Sequence, residues 1–144
     1  MQWRLATGED VRRLAEWNHQ LIADEGHRNR MNVAELEQRM LGWLSSDYQA
    51  VLFHHEGNAV AYALFREDES GRTHVRQFFV VRQFRRQGLG RKAFGLFRSE
   101  VVPSDRRIVL EVLTANAAAR SFWIANGFRD YAMTLELDPD EWAS

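Results

Sequence analysis

Residues 74–92 read HVRQFFVVRQFRRQGLGRK, an apolar run that breaks into a glycine turn and reopens in a helical pattern. His74–Val81 has the β-branched and aromatic content of a strand. Gly88 and Gly90 sit one residue apart, and Leu89, Ala93, Leu96, Phe97 and Val101 then recur at helical spacing. Arg82, Arg85, Arg86, Arg91 and Lys92 crowd the turn with positive charge. A helix N-terminus presents unpaired N–H groups and the positive end of the macrodipole, and glycine lets an anion approach the backbone. The stretch therefore predicts a phosphate cradle between a strand and a helix. With the short apolar strand expected at Arg107–Leu113 it makes one right-handed βαβ unit. Phosphate ligands sit at the carboxyl ends of such strands.

Upstream the pattern is helical first, then β. Thr7 is placed to cap a first helix, with Glu9 and Asp10 in its positive first turn and Val11, Leu14, Trp17 and Leu21 at helical spacing. Ile22–Met31 breaks that spacing and reads as a loop. Asn32 and Glu35 are spaced as a capping box before a second helix striped by Val33, Leu36, Met40 and Trp43. Tyr48–His55 and Ala59–Arg66 flank the turn signal Glu56-Gly57-Asn58 and predict a hairpin. Downstream, Pro103 and Ser104 close the helix that follows the glycine turn. Asn116–Asn126 reads as another helix stopped by Gly127, and Phe128–Leu137 alternates as a final strand. With a weak N-terminal strand the order is β–α–α–β–β–β–α–β–α–β. It predicts a single α/β domain over residues 1–144, in which an antiparallel first half meets a parallel crossover.

The 144 residues suffice to bury a core, and 45% hydrophobic with 27% charged residues is ordinary for a globular chain. A net charge of -1 argues against a nucleic-acid partner, so the positive charge at the turn is local and suits a discrete anion. No cysteine is present, which excludes disulfides, thiolate nucleophiles and cysteine–zinc sites. The first ten residues, MQWRLATGED, are too polar for a signal peptide, and no apolar run approaches the roughly 20 residues of a membrane span. The expectation is a cytoplasmic protein with no membrane partner and no metal.

Three phosphate motifs compete for the glycine turn. Gly88, Gly90 and Ala93 satisfy G-x-G-x-x-G/A, and Glu111 falls about 20 residues on, where a dinucleotide site places its ribose-binding acid. Only one βαβ unit is available for that reading, however, and Glu111 falls in mid-strand. A Walker A loop needs a lysine followed by a hydroxyl residue, and neither is in place. The third pattern, R/Q-x-x-G-x-G/A, is met by Arg85, Gly88 and Gly90. Downstream of it, residues 110–128 read LEVLTANAAARSFWIANGF. Leu110, Glu111, Val112, Asn116, Ala119, Phe122, Gly127 and Phe128 there match L-E-V-x-x-x-N-x-x-A-x-x-F/L-Y-x-x-x-G-F. On these two motifs, over about residues 74–129, the chain resembles the GCN5-related N-acetyltransferase (GNAT) family, and its order of elements is similar to the family's.

The resemblance implies a mixed central sheet whose parallel strands splay apart, with acetyl-CoA as cosubstrate in the gap. It implies direct transfer of an acetyl group to a primary amine within a ternary complex, there being no cysteine to carry it. A small-molecule amine is the first choice of acceptor and a peptide or protein amine the second. The backbone of Phe79, Val80 and Val81 would hold the pantetheine arm. The amides of Arg86, Gln87, Gly88, Leu89, Gly90 and Arg91 would grip the pyrophosphate, which Arg85, Arg86 and Arg91 help neutralise. Side chains at positions 88 and 90 would obstruct that approach. Asn116 would contact pantetheine, and an N–H near Val80 would stabilise the tetrahedral oxyanion.

The amine must lose a proton, since amines of this kind are charged near neutral pH. Glu111 is the first candidate base: it is the only acid in an apolar strand, it matches a glutamate that serves as base in some members, and burial would raise its pKa. Its alternative is a structural pairing with a nearby arginine. Asp24, Glu25 and His27 are the other candidate bases, in a loop that borders the acceptor pocket in the family. Where the family often has a tyrosine that protonates the departing thiolate stands Trp123, whose indole is not a usable acid. No general acid is thus identified, and Trp123 packs along the pantetheine arm or in the core. The rival reading is a non-catalytic acyl-CoA-binding module. Family members often form homodimers, so that arrangement stays open.

Overall fold

The computed structural model describes residues 1–142. Its frame is one sheet with strands in chain order: β1 (Gln2–Leu5), β2 (Gln49–His55), β3 (Asn58–Glu67), β4 (Thr73–Val80) and β5 (Ile108–Val109). The first four pair antiparallel, and β5 runs parallel to β4. Helices α1 (Val11–Glu25) and α2 (Val33–Leu44) cover one face. Helices α3 (Leu89–Leu96) and α4 (Ala117–Ala125) cover the other. A wider turn, Phe97–Val101, prolongs α3, and a one-turn helix α5 (Pro139–Trp142) follows later. The expected mixed sheet with helices on both faces is present.

Local chemistry accounts for most of these elements. Asn32 Oδ1 accepts the Glu35 N–H at 2.8 Å and Glu35 Oε1 accepts the Asn32 N–H at 3.0 Å, closing the expected capping box of α2. Glu56 and Gly57 both adopt left-handed φ (52° and 82°), the two-residue turn whose twist matches the β2–β3 hairpin. Strand alternation then builds two apolar layers. Leu52, Tyr62, Leu64 and Phe79 face α1 and α2; Val51, Phe53, Ala61 and Ala63 face α3 and α4. Each fully buried large side chain contributes about 1.5–3 kcal/mol.

Three expectations need correction, and the helix cap does not. The loop expected from Ile22 begins only at Gly26, because Ile22–Glu25 continue α1 until Gly26 turns left-handed (φ 66°) and ends it. At the other end Thr7 stands, as expected, at the N-cap of the one-turn helix Gly8–Asp10 that leads into α1, and the Asp10 carboxylate accepts the Thr7 N–H at 2.8 Å. The strand expected over Arg107–Leu113 stops at Val109. The strand expected over Phe128–Leu137 has no ladder partner among the described residues. In the last two cases the apolar pattern is there and the neighbouring strand is not.

Asp10 also ties the N-terminal strand to α1. Arg4 donates to both its oxygens, at 2.7 and 2.8 Å. These hydrogen bonds hold the Asp10 carboxyl down at about 2, against the opposing effect of burial. A depressed carboxyl stabilises the fold above its ordinary pKa of 3.8 and loses that contribution as pH falls through about 2. The contribution is about 2 kcal/mol at most, reduced by solvent screening because the Arg4 side chain is 44% exposed. Urea midpoints of the wild type should exceed those of Asp10→Asn at about pH 5 and converge with them toward pH 2. A gap independent of pH would show that the ion pair is not its source.

Candidate functional site

β4 and β5 touch at two positions only, Thr73 opposite Ile108 and His74 opposite Val109, and then part. A β-bulge accompanies the divergence: Leu64 faces Gln77 and Phe65 faces Val75, so Arg76 is the extra residue on β4. The far end of β4 therefore borders an open gap. Val81 N–H donates to the Val60 carbonyl of β3 at 2.8 Å. Successive residues of a strand turn their backbone groups to opposite sides, so those of Val80 point into the gap. The Val80 carbonyl accepts Arg85 Nε at 2.8 Å. Of the three residues expected to face an added chain, Val80 alone does so. Phe79 and Val81 turn toward β3, and the Val81 carbonyl is taken by Phe84 N–H at 2.9 Å.

Beyond Val81 the chain folds into a nest-like turn. Arg86 and Gly88 both take left-handed φ, 64° and 73°. Alternating hands of backbone converge successive N–H groups on one point. Lys92 N–H donates to the Gly88 carbonyl at 3.2 Å, so the amides just before it are the free first turn of α3. The two glycines serve different ends. No atom lies within 4 Å of where a Gly88 Cβ would sit, so that position needs glycine for its φ and leaves room outside. A Cβ at Gly90 would lie 3.1 Å from Val80 Cγ2 and 3.3 Å from Phe122 Cε2. Gly90 thus lets α3 seat against β4 and α4; a side chain there would strike the core and not a ligand. Leu89 is buried, leaving only its amide for a ligand, whereas Arg86, Gln87 and Arg91 are exposed.

The C-terminus of α1 reaches this nest through one carboxylate. Asp24 accepts Arg82 Nη2 at 2.9 Å and Arg85 Nη2 at 2.7 Å, and the Arg85 guanidinium also lies 5.1 Å from the Phe79 ring centroid. Partial burial pushes the Asp24 carboxyl up, but the arginine hydrogen bonds outweigh it and hold the group below its ordinary value. Its neighbour behaves oppositely. Glu25 is half-buried, and burial followed by the charge of Asp24 raises its pKa. Glu25 also acts electrostatically on the buried Tyr62, which lies 6.0 Å from Phe79 and stacks with Trp17 at 6.1 Å. One guanidinium, that of Arg85, links Asp24 to the Val80 carbonyl, and Glu25 is the next residue of α1 at that corner. His27 lines a separate surface hollow with His19 and Met31.

The remaining expected residues lie elsewhere or do other work. Glu111 is 76% exposed along its side chain and sits 2.8 Å from His74 Nε2, so the burial expected for it is absent. His74 precedes Val80 by six residues, about 20 Å of strand. Trp123 is a core residue, 4.8–5.3 Å from Phe122, Phe94, Phe128 and Phe78 and only 8% exposed. Its indole packs among rings from β4, α3 and α4. Asn116 caps α4, its Oδ1 accepting Ala119 N–H at 3.2 Å, and its amide nitrogen remains available. Arg82 was absent from the expected binding set; its partnership with Asp24, 58 residues away in sequence, has no local signal.

The domain described as "Acetyltransferase (GNAT) domain" matches residues 9–137. Among solved structures, the aminoglycoside N-acetyltransferase AAC(6')-Iy in complex with CoA is 13% identical, with 95% of this chain and 93% of that one covered at a TM-score of 0.74. A predicted acetyltransferase from Clostridium acetobutylicum with acetyl-CoA is 16% identical over 97% of both chains, TM-score 0.69. A ribosomal-protein-alanine N-acetyltransferase from Brucella melitensis biovar Abortus 2308 is 14% identical over 95% of this chain and 98% of that one, TM-score 0.71. Comparison with curated protein sequences finds no match.

Proposed function

The chain belongs to the GNAT acetyltransferase family, and we propose that it passes the acetyl group of acetyl-CoA directly to a primary amine of a small molecule. The observation that carries this reading is the pairing of two features at one end of β4. Val80 turns its N–H into a gap between parted parallel strands, and the left-handed Arg86–Gly88 nest stands beside it. The residues fit a phosphorylated thioester: an open cradle at Gly88, exposed cations at Arg86 and Arg91, and a strand edge for an amide-bearing arm. Acetyl-CoA supplies an activated acetyl carbon whose leaving group is a thiol.

In this reading the first-turn amides of α3 and the nest bind the pyrophosphate. Arg82 and Arg85 exchange part of their hold on Asp24 for phosphate oxygens. Val80 N–H faces the developing oxyanion. Glu25, its pKa raised, takes the proton from the amine directly or through one water, and we assign it that role in place of Glu111. Asp24 gives the amine's positive charge a partner once its arginines engage phosphate. A thiol of pKa about 8.5 leaves without a strong acid near neutral pH, so the absence of a tyrosine at position 123 is compatible with turnover. The small-molecule reading takes support from the aminoglycoside enzyme, and the ribosomal-protein enzyme keeps a protein amine as the second choice.

The test is thiol release from acetyl-CoA with a panel of amino sugars, polyamines and peptides bearing free N-termini, beside thermal shifts with CoA, acetyl-CoA and NAD. Turnover on at least one small amine and stabilisation by CoA, not NAD, are expected. Saturable acetyl-CoA binding with no turnover on any amine would make the chain a binding module.

A further inference from the structure

We propose that Arg39 and Arg76 form a carboxylate subsite, and hence that the acetyl acceptor is an ω-amino carboxylate, a small molecule with a primary amine at one end and a carboxylate at the other. The inference rests on the acetyl-transfer reading above and adds to it the class of acceptor. Both guanidiniums lie against one indole, Arg39 Cζ at 4.4 Å and Arg76 Cζ at 4.8 Å from the Trp43 ring centroid, so the two like charges are neighbours. Neither forms an ion pair among the described residues. Arg39 Nη2 donates to Asn18 Oδ1 at 3.0 Å, and Arg76 Nη1 donates to the Tyr48 hydroxyl at 3.3 Å. Asp47, the residue before Tyr48, pairs with Arg66 instead, at 3.7 Å.

The pair is surrounded by hydrogen-bond donors without acceptors. Asn18 is buried, and its Nδ2 and Arg39 Nε are shut off from solvent with no partner among the described residues. Tyr62 of β3 donates its hydroxyl to Gln77 Oε1 of β4 at 2.9 Å, which leaves Gln77 Nε2 to donate outward. Burial, and after it the charge of Arg76, pulls the Arg39 pKa below its ordinary value. Buried donors are ordinarily satisfied and buried charges ordinarily paired. A carboxylate brings one negative charge and two acceptor oxygens in a plane that matches the guanidinium fork, which is what this cluster lacks. Arg39, Trp43 and Gln77 are half-buried and Arg76 is exposed, so solvent and a small molecule can reach it.

The cluster stands one short molecule away from the reacting corner. Tyr62 links the two places: Glu25 and Arg39 both act on it electrostatically, and it lies opposite Phe79, the residue before Val80. Asn18 and Glu25 are seven residues apart on α1, so they share a helix face and stand about 10 Å apart along its axis. Along β4, Arg76 precedes Val80 by four residues, about 13 Å, which the arginine side chain shortens as it reaches inward. An amine placed beside Glu25 and Val80 therefore leaves the far end of a lysine-length chain at Arg39 and Arg76.

The experiment measures thiol release from acetyl-CoA by the full chain on ε-aminocaproate, its carboxamide, hexylamine and the shorter β-alanine. The free acid should exceed the carboxamide and hexylamine by about 10–100-fold in kcat/KM, the size expected when charge-assisted hydrogen bonds lose their acceptor. β-Alanine, too short to span the two places, should be a poor acceptor. Arg39→Gln and Arg76→Gln should each bring the ratio of acid to carboxamide toward one. Arg76 is exposed, so Arg76→Gln keeps the test sound should Arg39→Gln fail to fold. Equal turnover of acid and carboxamide, turnover confined to amines without a carboxylate, or an acid preference that survives Arg76→Gln would each overturn the subsite and leave the acetyl-transfer reading standing. No turnover on these or on any amine of the wider panel would overturn both.

Discussion

Replacing Glu25 by glutamine lowers kcat by about 10²–10⁴ and leaves acetyl-CoA affinity near the wild-type value. The size follows from removing a positioned base. The preserved affinity follows because Asp24, not Glu25, holds Arg82 and Arg85. The pH profile separates this role from a structural one. A base must be ionised, so wild-type kcat rises with pH through the raised Glu25 pKa, and that acidic limb is flat in Glu25→Gln. Stability moves the other way. A carboxyl whose folded pKa is raised resists ionising in the fold, so it destabilises the fold above that pKa. Glutamine removes the charge, and the thermal midpoint near neutral pH should hold or rise. A fall in kcat together with a fall in stability would mean that Glu25 supports the fold and does not take the proton. An unchanged kcat would move the base elsewhere in the corner, first to Asp24.

The second large effect is on folding. Trp123→Ala should cost about 3–5 kcal/mol, read as a lower urea midpoint at unchanged slope. The indole is the centre of a buried aromatic group in which Phe78 comes from β4, Phe94 from α3, Phe122 from α4 and Phe128 from the segment after it. Edge-to-face contacts at these separations each add about 0.5–1.5 kcal/mol beyond area burial. Its loss opens a cavity where three elements meet. Trp123→Phe should cost much less, keep the acetyl-CoA thermal shift and keep kcat. Were Trp123 a contact of the pantetheine arm, Trp123→Phe would instead weaken acetyl-CoA binding with little change in the urea midpoint, and the core assignment would fail.

These predictions divide between what was local in the chain and what was not. The glycine turn was legible because its causes are local: left-handed φ at Gly88, a helix start and adjacent arginines all lie within a dozen residues. The capping box of α2 and the β2–β3 turn were legible for the same reason. Glu111 was misread as buried because an apolar run such as Ile108–Leu113 predicts cover on both faces. β5 is an edge whose second residue is its last paired one. Trp123 was left between two roles because helical spacing says which face a residue is on, not what that face meets. Arg82 was missed as a partner of Asp24 for want of any signal linking a helix C-terminus to a turn across the sheet.

By itself the sequence determined the elements that close on nearby residues: the helix starts, the tight turns, the cationic glycine nest and the family to which its two motifs point. The tertiary structure decided what depends on pairing across the chain. It turned Val80, not Phe79 or Val81, into the gap. It buried Trp123 and exposed Glu111, and it brought Asp24 and Glu25 to the end of β4. It also left the apolar alternation of residues 129–137 without a strand partner among the described residues. A strand pattern states which side of a backbone is apolar, and hydrogen-bond partners and burial come only from the strands and helices that the fold sets beside it.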